Sequence, residues 1–298
     1  MTQHRVIRSL MWFGLVCLIW SESASAGVSV VGSLDRLHIA DPGEVIRGEI
    51  EIQNTLDESA LVRVDVMDQL INAQAQAQYL PAGAHARSLA DYIQLMSPEQ
   101  LIAPRARARV GFEVKLPTLA ERPELVGAYW AVLMVRHEAL HGLDELSQQD
   151  RWIIKQRFQT AVRITTAVRG QASTRLLFQS PVLHLSKDPD QSPDPVFSFE
   201  AHNAGERLLD IALVGELFSA QGDSLGQTVL GQFKIYPGSH RRINWALEGA
   251  GQVAPNNEPP GHGVEALVIA TPAPWMAHAQ RFGARFDLPW GLNVARQP

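Results

Sequence analysis

At 298 residues, with a net charge of −5 and one cysteine, the chain has room for two ordinary domains. The lone cysteine excludes an internal disulfide framework and a multi-cysteine metal site. Its basic residues are scattered apart from Arg105–Arg109, which argues against an extended nucleic-acid footprint.

The first residues read as a secretory signal peptide covering 1–26. Arg5 and Arg8 form a basic lead, Leu10–Trp20 is an apolar run too short to cross a bilayer, and Ala24-Ser25-Ala26 precedes Gly27 as a small-residue cleavage site. Cys17 lies inside the apolar run, between Val16 and Leu18-Ile19, unlike a lipidated cysteine. The mature chain is then mildly acidic and free of thiols. It is expected in the periplasm, resting on its hydrophobic core, with no further stretch of membrane-spanning length and no anchor in Trp290–Pro298.

Val28–Val31 and Leu37–Ala40 predict an opening strand broken near Gly32, and Pro42-Gly43 a turn. In Gly48–Asp68, Ile50 and Ile52 alternate with Glu49, Glu51 and Gln53. After Asn54–Ser59, Val62, Val64 and Val66 alternate with Arg63 and Asp65. Period-two alternation about a polar turn predicts a half-buried antiparallel strand pair. Gln69–Ala90 has no period and is expected to be a long connection that can hold short edge strands. Tyr92–Leu95 is a brief strand, and Val110, Phe112, Val114 and Leu116 mark another that Pro117 ends. Gly127–Val135 is apolar on both faces, as a covered central strand should be. Arg157–Val168 alternates again, and Gly170 closes the unit.

Beyond it, Val182–Leu185 predicts a strand and Lys187–Pro195 an acidic proline-rich loop. Phe197 and Phe199 alternate up to Asn203, a turn follows, and Leu209, Ile211, Leu213 and Leu217 return at even spacing. Phe233 and Ile235 lead to Pro237-Gly238. Ile243, Trp245 and Leu247, then Val264–Ala270, then Phe282–Leu288, complete the pattern around the loop Asn256–Gly263. The halves echo each other: an alternating strand ending in Asn54 or Asn203, a polar turn, a second alternating strand, then Pro followed by basic residues and another strand. Six or seven short strands per half, without convincing helices, predict an all-β chain of two immunoglobulin-like β-sandwich domains in tandem, 27–170 and 171–298.

Pro42-Gly43, Gly48–Asn54, Ser97-Pro98 with Pro104, and Gly127–Trp130 running into Val135 carry a resemblance. So do Asn203-Ala204-Gly205, Tyr236-Pro237-Gly238 and Phe282–Leu288. The chain resembles the immunoglobulin-like modules of exported bacterial proteins, particularly the periplasmic fimbrial-chaperone-like superfamily. That resemblance implies a non-enzymatic protein without a cofactor. It would bind a secreted or envelope protein by strand addition, as chaperone or adaptor in assembling a pilus, surface structure or envelope complex, with neither nucleic acid nor membrane insertion. It also implies a basic pair anchoring a partner carboxylate, whose nearest positions here are Arg36 and Arg163; a guanidinium pair suits a carboxylate through bidentate hydrogen bonds. The polar stretch Asp144–Trp152 departs from the family, lacking alternating apolar donor residues, and two solvated strand arginines are the plainer reading. Oligomeric state and partner identity stay open.

Two other chemistries are written in the residues. His137-Glu138-x-x-His141 matches the H-E-x-x-H pattern, which on a helix sets two imidazoles one turn apart on zinc, with Glu138 as general base. Glu145 or Asp150 would have to complete such a metalloprotease site. The motif follows an apolar strand and precedes Gly142, so a hairpin loop or short helix leaving that strand is the alternative. Trp130 and Trp245 fall on inward strand positions and read as core. Trp152, Trp275 and Trp290 could stack on sugar rings, the basis for a carbohydrate-binding module. The remaining histidines show no ligand spacing, and no nucleophile elbow, P-loop or dinucleotide fingerprint is present.

Overall fold

The computed structural model describes residues 27–139, 158–185, 195–219, 221–247, 264–273 and 281–288. The signal peptide, His141, Glu145, Asp144–Trp152, Lys187–Ser192, Asn256–Gly263, Trp275 and Trp290 lie outside the described residues. The rest is two β-sandwiches in tandem. One sheet of the first sandwich runs β1 (Val28–Val31), β3 (Val45–Asn54), β8 (Arg107–Lys115), β6 (Ile93–Met96). The facing sheet runs β2 (Asp35–Ala40), β10 (Phe158–Val168), β9 (Gly127–Ala139), β4 (Ala60–Ile71), β5 (Ala77–Leu80), with β7 (Glu99–Ile102) also on β4. In the second sandwich β11 (Leu176–Leu185), β12 (Pro195–Asn203) and β15 (His240–Ala246) face β14 (Ser224–Ile235), β13 (Leu209–Phe218), β16 (Val264–Pro272) and β17 (Phe282–Leu288).

Each sandwich closes on its own core. Ile50, Ile52, Phe112, Val114, Leu133 and Ile164 anchor the first; Phe197, Phe199, Ile211, Leu213, Trp245 and Val268 anchor the second. Outside the first, Arg47 pairs with Glu113, and Arg107 with Glu51, across β3 and β8. These exposed pairs contribute little stability but keep the outer face polar.

The strands expected as a pair in Gly48–Asp68 are both present, yet they do not pair with each other. β3 bonds to β1 and β8, while β4 bonds to β5, β7 and β9. Thr55–Ser59 therefore carries the chain from one sheet to the other. Alternation reveals that each strand has a buried face, but two strands covering one core from opposite sides show it equally well. β12 and β13 repeat the arrangement, one in each sheet.

The buried asparagines make the crossing. Asn54 donates through Nδ2 to the carbonyls of Glu58, Ile102 and Ala103, and its Oδ1 accepts from Leu56 N–H. Asn203 donates to the carbonyls of Arg207 and Ile235 and accepts from Gly205 N–H. One side chain thus satisfies backbone groups that the turn removes from both ladders.

Two further expectations are corrected, and one is filled in. The opening strand is two strands in different sheets, with Gly32 at φ +93° between them. Gln69–Ala90 holds the end of β4 and, as its short edge strand, all of β5, and the buried Asp68 carboxylate organises the following loop by accepting from Ala84 N–H, His85 N–H and Ser88 Oγ–H. Trp130 is buried outside either sandwich core, in a cluster with Ala128, Leu208 and Tyr236 that joins the two sandwiches. Trp245 is core, as expected. At that junction Gly127 has φ +82°, and a Cβ there would come within 2.2 Å of the Glu206 carbonyl oxygen.

Candidate partner-binding edge

β9 pairs β10 from Phe158 to Val168, whereas β2 covers the other side of β10 only from Arg163 to Val168. Phe158–Val162 therefore presents an edge that none of the described residues occupies. The ladder says which groups face it. Arg163 N–H donates to the Leu34 carbonyl at 2.8 Å, and Arg169 N–H to the Ala40 carbonyl at 2.8 Å. Odd-numbered residues of β10 thus point their backbone groups toward β2. By strand alternation, Gln159 and Ala161 aim N–H and C=O at the open edge. Phe158 begins the strand half exposed, its ring parallel to the His137 imidazole at 5.4 Å.

Arg36 and Arg163 lie on neighbouring strands but on opposite faces. Arg36 is paired with Ile164 and Arg163 with Asp35, and Ile164 belongs to the core. Arg36 therefore turns inward, where its guanidinium donates to the Glu49 and Ser33 carbonyls. Arg163 turns outward to the junction with the second sandwich. It donates to Gln69 Oε1 at 2.7 Å, lies 3.8 Å from Asp35 Oδ2 and sits over the Tyr236 ring at 5.2 Å. The structure does not bring the two guanidiniums together, because the two-residue strand period separates positions whose registers differ by one.

The junction uses Arg163 structurally. Lys234 donates to Asp35 Oδ2 at 2.7 Å, a bond that raises the lysine pKa above its usual value. The Tyr236 hydroxyl hydrogen-bonds Thr165 Oγ1 at 3.1 Å, and burial pushes the phenol pKa up. Arg87 reaches Glu206 across the same boundary. An open cleft of about 1120 Å3 lies beside it, lined by His85, Arg87, Trp130, Glu206, Tyr236 and the stacked His202 and His240. The cleft is also lined by the β4–β5 hairpin and by β12 and β15.

His137 and Glu138 lie within strand β9, correcting the expectation of a loop or short helix at that point. His137 is buried, and that burial lowers its pKa. The first three residues of the motif are extended, without the helical turn the metal pattern requires, and His141 lies outside the described residues. Among the described residues no group of three or more His, Cys, Asp or Glu is placed to hold a metal. Sequence reasoning overlooked the open edge because it is a property of where β2 begins, and overlooked Asp35 and Lys234 because they meet across 199 residues.

No family model matches the chain, and no curated protein matches its sequence. Among solved structures the chain is similar to the class 5 fimbriae chaperone CfaA, at 11% identity over 88% of this chain and 99% of that one, with a TM-score of 0.42. It is similar to the YadV chaperone at 10% identity over 87% and 99%, TM-score 0.41. A chain of the Salmonella enterica SafA pilin–SafB chaperone complex matches at 10% identity over 88% and 96%, TM-score 0.39.

Proposed function

We propose that the protein is a non-enzymatic periplasmic chaperone or adaptor that binds another protein by β-strand addition, in the assembly of a pilus, surface structure or envelope complex. The observation that carries this reading is the uncovered edge of β10 at Phe158–Val162. A partner strand laid there would bond to the backbone of Gln159 and Ala161, and its alternate side chains would set selectivity. The ion pairs at Asp35 and the Trp130–Tyr236 contact support a scaffold that presents this edge at a steady angle to the second sandwich. The signal-peptide pattern supports the compartment, and 27–170 and 171–298 are the proposed domains.

The test is capture from periplasmic extract with wild-type protein and with Ala161→Pro as baits. Proline at 161 removes a donor facing the open edge and leaves the β9 ladder intact. The expected result is an envelope or surface-structure protein held by the wild type and lost by the variant, at an unchanged melting temperature. Equal capture by both baits would overturn strand addition at this edge.

A further inference from the structure

β2 is built the wrong way round for the slot it fills. Two of its three inward positions are polar: Arg36 faces the core side, and so does His38, edge-on to Phe112 at 6.4 Å, while Ala40 alone joins the core. His38 Nε2 and Thr166 Oγ1, on directly paired residues of β2 and β10, are both buried without a hydrogen-bond partner. Outward, beyond Asp35, it carries apolar residues, with Leu37 38% and Ile39 57% exposed, and Leu34 just before the strand is 46% exposed. A fitted strand would have the reverse pattern. β2 also makes the single parallel pairing among the described strands, and it is an edge strand tethered through Gly32, where a Cβ would meet nothing within 4 Å. It therefore shields a sheet edge that would otherwise invite aggregation, yet complements the core beneath it only at Ala40.

We infer that β2 is a placeholder, displaced from β10 by the partner's strand. The added strand then runs along Phe158–Val168 rather than Phe158–Val162 alone. The inference rests on the strand-addition reading above and extends it to the partner's chemistry. The invading strand carries apolar residues at the two positions now held by Arg36 and His38, and an acidic residue where Asp35 meets Arg163 and Lys234.

Two locks test it. Leu37 and Thr165 are Cα partners, as are Ile39 and Ala167, so paired cysteines can bridge β2 to β10 without moving the backbone. The variants are Leu37→Cys with Thr165→Cys, and Ile39→Cys with Ala167→Cys, each with Cys17→Ser. The probe is a labelled synthetic peptide copying Ser33–Asp41 with Arg36→Val and His38→Val, read by fluorescence anisotropy. The reduced protein should bind the peptide, the oxidised protein at least about tenfold more weakly, and reductant should restore binding. Equal binding by both states of both locks, or no binding by the reduced protein, would sink the inference. Amide exchange adds a reading free of any probe: β2 should exchange ahead of β9 and β10, and protection equal to theirs counts against displacement. A locked protein that still captures its partner through an Ala161-dependent edge defeats the placeholder alone. Capture indifferent to Ala161→Pro defeats the strand-addition reading beneath it.

Discussion

Asn54 and Asn203 each replace, with a single amide, the hydrogen bonds that a strand loses when it leaves its sheet. Asn54→Ala would strand the carbonyls of Ile102 and Ala103 and the N–H of Leu56. Leaving such groups unpaired in a buried site costs about 1–3 kcal/mol, so the urea midpoint should fall, and Asn203→Ala should act likewise in the second sandwich. The histidines respond to pH in one direction. His38, His85, His137 and His202 have pKa values lowered from 6.5, in each case chiefly by burial. The Asp68 carboxylate partly offsets this at His85, and neighbouring cations or imidazoles add to it at His38 and His202. The folded state keeps these rings neutral below the pH at which the unfolded chain takes up protons. Stability is therefore complete above 6.5 and falls as pH drops toward the lowered values. Urea midpoints at about pH 7.5 and about pH 5 should differ in that sense, and no decline between them would refute it.

At the scale of elements, β10 has two kinds of position. Gln159 and Ala161 face the open edge with their backbone groups, while Thr160 and Val162 face β9. Thr160→Pro should lower the melting temperature by removing a ladder hydrogen bond, whereas Ala161→Pro should leave it nearly unchanged and act on partner binding alone. If both variants melt alike, the assigned alternation is wrong. Strand existence was readable in β3, β4, β8, β9 and β10, since each carries apolar residues at period two or a continuous apolar run. β14 was seen only at Phe233 and Ile235. Its first six residues are exposed on an edge strand with two register shifts, so no buried face marks them. β2 was readable as a strand, but its polarity relative to the core was not.

For the whole molecule, the junction decides what the site can be. Trp130 donates to the Gln69 carbonyl at 2.7 Å and packs between His85 and Tyr236, at 4.6 and 4.7 Å between ring centroids. Removing it with Trp130→Ala should cost about 3–5 kcal/mol and uncouple the two sandwiches. Calorimetry should then show two transitions where the wild type shows a single cooperative one; one unchanged transition would mean that the sandwiches melt independently of this cluster.

The amino-acid order alone determined the all-β class, the doubling, the asparagine-ended strands and the apolar central strand, because burial imposes a period that survives in one dimension. It also held the polar inward residues of β2, but without any mark that they were inward. Which strands pair, that β3 and β4 arch across a core instead of forming a hairpin, that Arg36 and Arg163 face apart, and that β2 stops short of Phe158–Val162 were decided only by the tertiary structure. Pairing and register depend on contacts between residues distant in the chain, such as Asp35 with Arg163 and Lys234, and local periodicity is the same whichever neighbour a strand acquires.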